Sequence, residues 1–105
     1  MGIHGVLPEE QERPQPFEVD LELHVDLRPA CRSDDLADTV DYGALSDAVA
    51  HVIETEHYAL LERLAERIVE VCKADERVDG VTVELRKMEP PVKTTVAYVG
   101  VRIER

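Results

Sequence analysis

Phe17-Glu18-Val19-Asp20-Leu21-Glu22-Leu23-His24-Val25-Asp26-Leu27-Arg28 alternates apolar and polar residues without a break. Six apolar side chains point one way and six polar ones the other, which predicts a long strand from Phe17 to Arg28 with one wet face. Before it, Leu7 to Pro16 carries three prolines and a run of Glu and Gln, and predicts a loop leading into the strand. After it, Pro29 ends the strand, and Ser33-Asp34-Asp35 with Asp38 predicts an acidic, turn-rich connection.

The period then changes from two to about 3.6. Tyr42, Leu45, Ala48, Val49, Val52 and Ile53 share one helical face, with Asp41 as N-cap. Beyond a break near His57-Tyr58, a second helix runs to about Lys73 with Leu60, Leu61, Leu64, Ala65, Ile68, Val71 and Cys72 on its apolar arc. Asp79-Gly80 reads as a turn. Alternation returns in Val81, Val83 and Leu85, and again in Ala97, Val99, Val101 and Ile103, with Pro90-Pro91 separating the two strands. The order is strand, helix, helix, strand, strand, and the fragment before Gly5 suits the end of a further strand. Two helices over the apolar face of an antiparallel sheet predict a two-layer α+β fold. Its other face is left to water or to a pore.

The chain of 105 residues is the size of a single domain, 1–105. Twelve Lys and Arg against 23 Asp and Glu give a net charge of −11, which opposes binding to nucleic-acid phosphates or to an anionic membrane. No apolar run reaches the 18 or so residues of a membrane span, and the N-terminus has no basic flank or apolar signal core, so a cytoplasmic location is expected. Cys31 and Cys72 fit no paired metal motif and read as reduced thiols.

Three polar residues stand out. Lys87 follows Val81, Val83 and Leu85 at the same parity, so it closes the row that faces the helices. A desolvated amine there suits proton transfer, although a strand-end lysine also snorkels, and periodicity alone favours snorkelling. Glu62 lies at the start of the second helix, on the border of its apolar arc, where the helix dipole favours a carboxylate and capping is the ordinary role. Tyr42 lies on the apolar arc of the first helix, where a core tyrosine with its hydroxyl at the rim is expected. Among the histidines, Glu54-x-x-His57 could hold two ligands on one turn. His51 and His57 lack zinc-helix spacing, however, and His4 and His24 have no evident partners, so no metal site is expected. There is no phosphate-binding glycine loop and no marked nucleophile.

Several stretches together resemble the bacterial dihydroneopterin aldolase family of folate biosynthesis. They are Ile3-His4-Gly5-Val6 with Glu10, Ser33-Asp34-Asp35 through Asp38-Thr39-Val40-Asp41-Tyr42, Leu60-Leu61-Glu62-Arg63-Leu64-Ala65-Glu66-Arg67-Ile68, Lys87-Met88-Glu89-Pro90-Pro91 and Val99-Gly100-Val101. The Leu-Leu-Glu-x-Leu-Ala helix with the Lys-x-x-Pro-Pro turn is specific in combination. The resemblance implies the tunnelling fold (T-fold): four-stranded subunits in a ring around a pore, rings paired into an octamer, and sites between neighbouring subunits. It implies that Glu62 anchors a pterin, that Lys87 and Tyr42 move protons, and that Glu10 is an active-site carboxylate. Backbone groups at Val40 and Leu61 would complete the pterin clamp. It implies no cofactor and no metal, because the dihydropterin ring itself takes up the electrons. The family's first strand precedes the His-Gly segment, and Met1 to His4 would be its truncated remainder. Two other readings stay open at this point. A dihydroneopterin triphosphate epimerase would need clustered cations, whereas only Lys87 and Lys93 approach the site. A non-catalytic pterin- or purine-binding oligomer would keep Glu62 without turnover.

Overall fold

The computed structural model describes residues 1–92 and 95–105. Lys93 lies outside them. Four helices, α1 (Pro8–Glu12), α2 (Arg28–Ser33), α3 (Tyr42–Thr55) and α4 (Leu61–Lys73), accompany three strands, β1 (Phe17–Val25), β2 (Val78–Lys87) and β3 (Val99–Glu104). The strands form an antiparallel sheet in the order β1-β2-β3, and α4 lies on β2 and β3 with α3 packed beside it. The predicted α+β layering and element order are therefore present. Among the described residues the sheet has three strands; ahead of Gly5 the chain makes two isolated bridges, Gly2 to Gln15 and His4 to Tyr58.

Five local expectations are corrected. The segment from Leu7 to Pro16 is not all loop, because α1 begins at Pro8, where the ring's fixed φ suits a first turn whose N–H needs no partner. The first strand stops at Val25, not Arg28. Asp26 Oδ1 accepts from the Arg28 backbone N–H at 3.1 Å, Leu27 turns into the helical region, and Pro29 sits in the first turn of α2. Part of the acidic connection is thus helical. Asp79-Gly80 is no turn. Val25 pairs with Val78 and His24 with Gly80, so Asp79 is the extra residue of a bulge, and the chain turns earlier, where Asp75 Oδ1 accepts from Arg77 N–H at 2.9 Å. Lastly, Tyr42 is 81% exposed, since the first turn of α3 projects past the core.

The core forms where the periods coincide. Val49, Val52 and Ile53 of α3, Leu64, Ala65, Ile68, Val69 and Cys72 of α4, and Val81, Val83 and Leu85 of β2 are buried together. Each fully buried Leu or Ile there stabilises the fold by about 2 kcal/mol. Asp41 caps α3 as expected, its Oδ1 accepting from Ala44 N–H at 3.0 Å. β1 and β3 are both sheet edges, and the apolar row Phe17, Val19, Leu21, Leu23 and Val25 is only half-buried. On the opposite face Arg86 reaches Glu18, Asp20 and Glu84 at 3.3, 2.6 and 2.9 Å, a charged lattice across the strands.

Candidate active site

Parity carries Lys87 to the helix side of β2, and the structure supplies its counter-charge from far away in sequence. Its Nζ donates to Glu10 Oε2 at 2.6 Å, with the two side chains only 11% and 7% exposed. Lys87 is therefore not a snorkelling lysine. Glu10 reaches it from α1, which lies against Gly5 so closely that a Cβ at position 5 would stand 2.4 Å from the Glu10 side chain. Only glycine permits that approach. Behind the pair, Met88 N–H donates to Pro16 O at 3.1 Å and Glu89 N–H to the buried Gln15 Oε1 at 3.3 Å, fixing the turn after Lys87.

Beside this pair lies a cleft of about 340 Å³. One wall is the N-terminal segment with Ile3, Gly5 and Gln11; the other is the α3–α4 connection with His57, Tyr58 and Ala59. That volume is near the lower bound for small-molecule sites. The second wall runs directly into α4, where Leu60 is the N-cap but offers no side-chain hydrogen bond. The first-turn amides, Leu61 among them, consequently have no side-chain partner among the described residues. Glu62 sits exposed in that same turn and Leu61 is half-buried. A free N–H next to a carboxylate offers donor and acceptor side by side.

Residues not singled out by the sequence hold the walls. His4 is 1% exposed; its Nε2–H donates to Ile53 O at 2.8 Å, and its Nδ1 accepts from Tyr58 N–H at 3.1 Å. Burial pushes its pKa below the usual 6.5. Tyr58 donates its hydroxyl to Glu56, which also accepts from Arg67 Nε at 3.0 Å, and the Arg63 guanidinium lies 5.3 Å above the Tyr58 ring. Those bonds lower the Glu56 pKa and raise that of Tyr58, so Tyr58 is a fixed wall and not an acid or base near neutrality. Its partners are remote in sequence or read only as surface charge, so no local pattern marks it.

Val40 and Tyr42 lie elsewhere. They precede and begin α3, whereas Glu62 follows its end, and 14 helical residues span about 21 Å. The segment ahead of Val40 is tied to the opposite end of the sheet, where Arg77 Nη2 donates to Ala37 O at 2.6 Å. One chain thus gathers Glu10 and Lys87 near the cleft, with Leu61 and Glu62 on the helix turn that continues its second wall. Val40 and the exposed Tyr42 stand at the far end.

The family model described as dihydroneopterin aldolase matches residues 1–104. The chain belongs to the dihydroneopterin aldolase family. The dihydroneopterin aldolase of Streptomyces coelicolor is 45% identical over 104 residues, covering 99% of this chain and 87% of that protein. That of Streptococcus pyogenes is 42% identical over 105 residues, covering 99% and 88%. Among solved structures, Escherichia coli dihydroneopterin aldolase in complex with neopterin superposes with a TM-score of 0.89 at 36% identity, covering 99% of this chain and 89% of that one. The architecture is that of the tunnelling fold, and membership favours the aldolase, a lyase, over the triphosphate epimerase and the non-catalytic binder. No helix among the described residues is long and apolar enough to cross a membrane.

Proposed function

We propose that residues 1–105 act as one catalytic domain that cleaves dihydroneopterin to hydroxymethyl-dihydropterin and glycolaldehyde in the cytoplasm. The observation that carries this reading is the buried Glu10–Lys87 pair behind a cleft whose second wall ends in an uncapped helix turn. A pterin presents an amino group and a ring N–H together, and the Glu62 carboxylate can accept both, while the Leu61 N–H is free to donate to a neighbouring ring acceptor. The Lys87 ammonium first passes a proton to Glu10 across their hydrogen bond, and the free amine then takes the proton of the tail's middle hydroxyl, directly or through water. The bond between the first and second tail carbons breaks, and its electrons pass into the dihydropterin C=N bond as an enamine. The second carbon leaves as the carbonyl of glycolaldehyde, and the first recovers a proton through Tyr42. Glu10 holds the ammonium that forms on Lys87 and so keeps its Nζ aimed at the reacting hydroxyl. If glycolaldehyde turns over before leaving and adds back, the tail is epimerised at its middle carbon, which makes epimerisation a side activity of the same site.

Tyr42 and Val40 reach that substrate only from a second copy, because their own chain holds them at the other end of α3. Two open sheet edges and the half-buried apolar row on β1 support such assembly, as a tetrameric ring or an octamer of paired rings. The test is to incubate the purified protein with dihydroneopterin and assay glycolaldehyde. Stoichiometric release with hydroxymethyl-dihydropterin is expected; no release, or turnover of the triphosphate alone, would overturn the reading.

A further inference from the structure

We propose that His4 is a positioning residue of this site: its neutral ring ties the two walls of the cleft together, and a pterin binds tightly only while Nδ1 accepts from the Tyr58 N–H. The proposal rests on the cleft being the pterin site. His4 belongs to the segment that forms one wall, between the cleft-lining Ile3 and Gly5. Its two hydrogen bonds cross to the other side, to Ile53 O at the end of α3 and from Tyr58 N–H in the opposite wall. Gly5 N–H adds a backbone bond to Tyr58 O at 2.9 Å, and the His4 ring stacks on Tyr58 at 5.9 Å between centroids. Edge-on, the same ring meets Phe17 at 5.2 Å, and Phe17 is the register partner of Lys87. One side chain therefore touches both cleft walls and the strand paired with the one that carries the reacting amine, without lining the cleft itself. The carbonyl of Ile53 needs a donor at Nε2, and the amide of Tyr58 needs an acceptor at Nδ1. Only the neutral ring with its hydrogen on Nε2 supplies both.

Protonation removes the acceptor and sets two N–H donors, Nδ1–H and Tyr58 N–H, against each other. The charged and titratable groups facing the ring are His57, Glu56 and Tyr58 from the α3–α4 connection and Lys87, paired with Glu10, from β2. Burial, with lesser electrostatic repulsion from His57 and Lys87, holds His4 neutral, while its hydrogen bond to Ile53 O and, more weakly, Glu56 oppose them. A ligand that needs the closed cleft must bind the neutral form preferentially, and by linkage must make His4 harder to protonate.

The experiment measures neopterin binding by the full chain between about pH 5 and 8, in wild type and in His4→Asn, His4→Gln and His57→Asn. Asparagine places an oxygen near the position of Nδ1 and keeps the acceptor for Tyr58. Glutamine keeps only a donor toward Ile53 O. At neutral pH, His4→Asn is expected to bind close to wild type and His4→Gln about tenfold weaker, the equivalent of one buried hydrogen bond. Wild-type affinity is expected to fall as the pH drops below 6.5, with the slope lost in both His4 variants and kept in His57→Asn. A slope that survives in the His4 variants, one that disappears with His57, or a His4→Gln affinity equal to wild type would overturn the proposal. Should the variants fail to fold, ring nitrogen shifts in the wild-type protein decide it: neopterin must lower the pH at which His4 protonates, and an unmoved titration refutes the role. Wild type that binds no neopterin refutes the pterin site itself.

Discussion

Replacing Lys87 with methionine leaves the Glu10 carboxylate in a site where its side chain is 7% exposed, with Gly5 pressed against it and no second cation within bonding distance among the described residues. Breaking a buried pair from one side costs about 3–5 kcal/mol. The lower end applies here, about 3 kcal/mol, because α1 is only five residues long and can swing its carboxylate toward water. Glu10→Leu strands the ammonium instead, and its loss is expected to be similar. Against a total stability of about 5–15 kcal/mol this is a large fraction, and it moves a urea midpoint by between about 1 and 3 M. The double variant Glu10→Leu/Lys87→Met removes both charges and leaves apolar groups of similar volume, so it should lose less than either single variant. The assay is urea unfolding followed by circular dichroism at one fixed protein concentration, since any association shifts the midpoint. Losses that simply add, or single losses below about 1 kcal/mol as in exposed ion pairs, would refute the claim that this pair is buried and coupled.

Tyr42→Phe should abolish turnover while leaving the unfolding midpoint within error, because the ring is exposed and its hydroxyl has no hydrogen-bond partner among the described residues; a large stability loss would contradict that placement. Glu62→Gln should weaken neopterin binding by about a factor of ten or more through loss of a charge-assisted acceptor, measured by fluorescence titration, and unchanged affinity would remove Glu62 from the site. Gly5→Ala should cost about 1–3 kcal/mol and lower turnover, since the new Cβ meets the Glu10 side chain at 2.4 Å and the carboxylate must retreat from Lys87. His4 gives stability a pH dependence of definite sign. Its folded pKa is depressed below 6.5, so its contribution is complete above that value and is lost as the pH falls below it. Midpoints compared between wild type and His4→Asn should converge on acidification; divergence would reverse the sign.

What periodicity encodes locally was legible. The alternation in β1 and β2, the helical arcs of α3 and α4 and the Asp41 cap all reappear because each reports burial one or two turns away. Proline misled twice: Pro8 and Pro29 read as breaks, yet both stand in a helix first turn, where a missing N–H costs nothing. Asp79-Gly80 carries turn chemistry that the sheet uses as a bulge. Tyr42 falls on the right arc at the wrong height, beyond the last layer that the core covers. In the candidate site, parity identified Lys87 as inward-facing, but its partner Glu10 lies 77 residues away and entered through family resemblance rather than spacing. His4 could not be read, because both its bonds span about half the chain and join segments that share no pattern.

The claim on which the rest depends is that the reaction is carried out by Lys87 and Glu62 of one copy together with Tyr42 of another. Mixing two inactive variants, Tyr42→Phe and Lys87→Ala, under conditions that exchange subunits tests it directly. Random assembly gives about one interface in four with both groups intact, so glycolaldehyde release should return to about a quarter of the wild-type rate. A mixture that stays as inactive as its parents, while sedimenting as a mixed particle, would contradict the account.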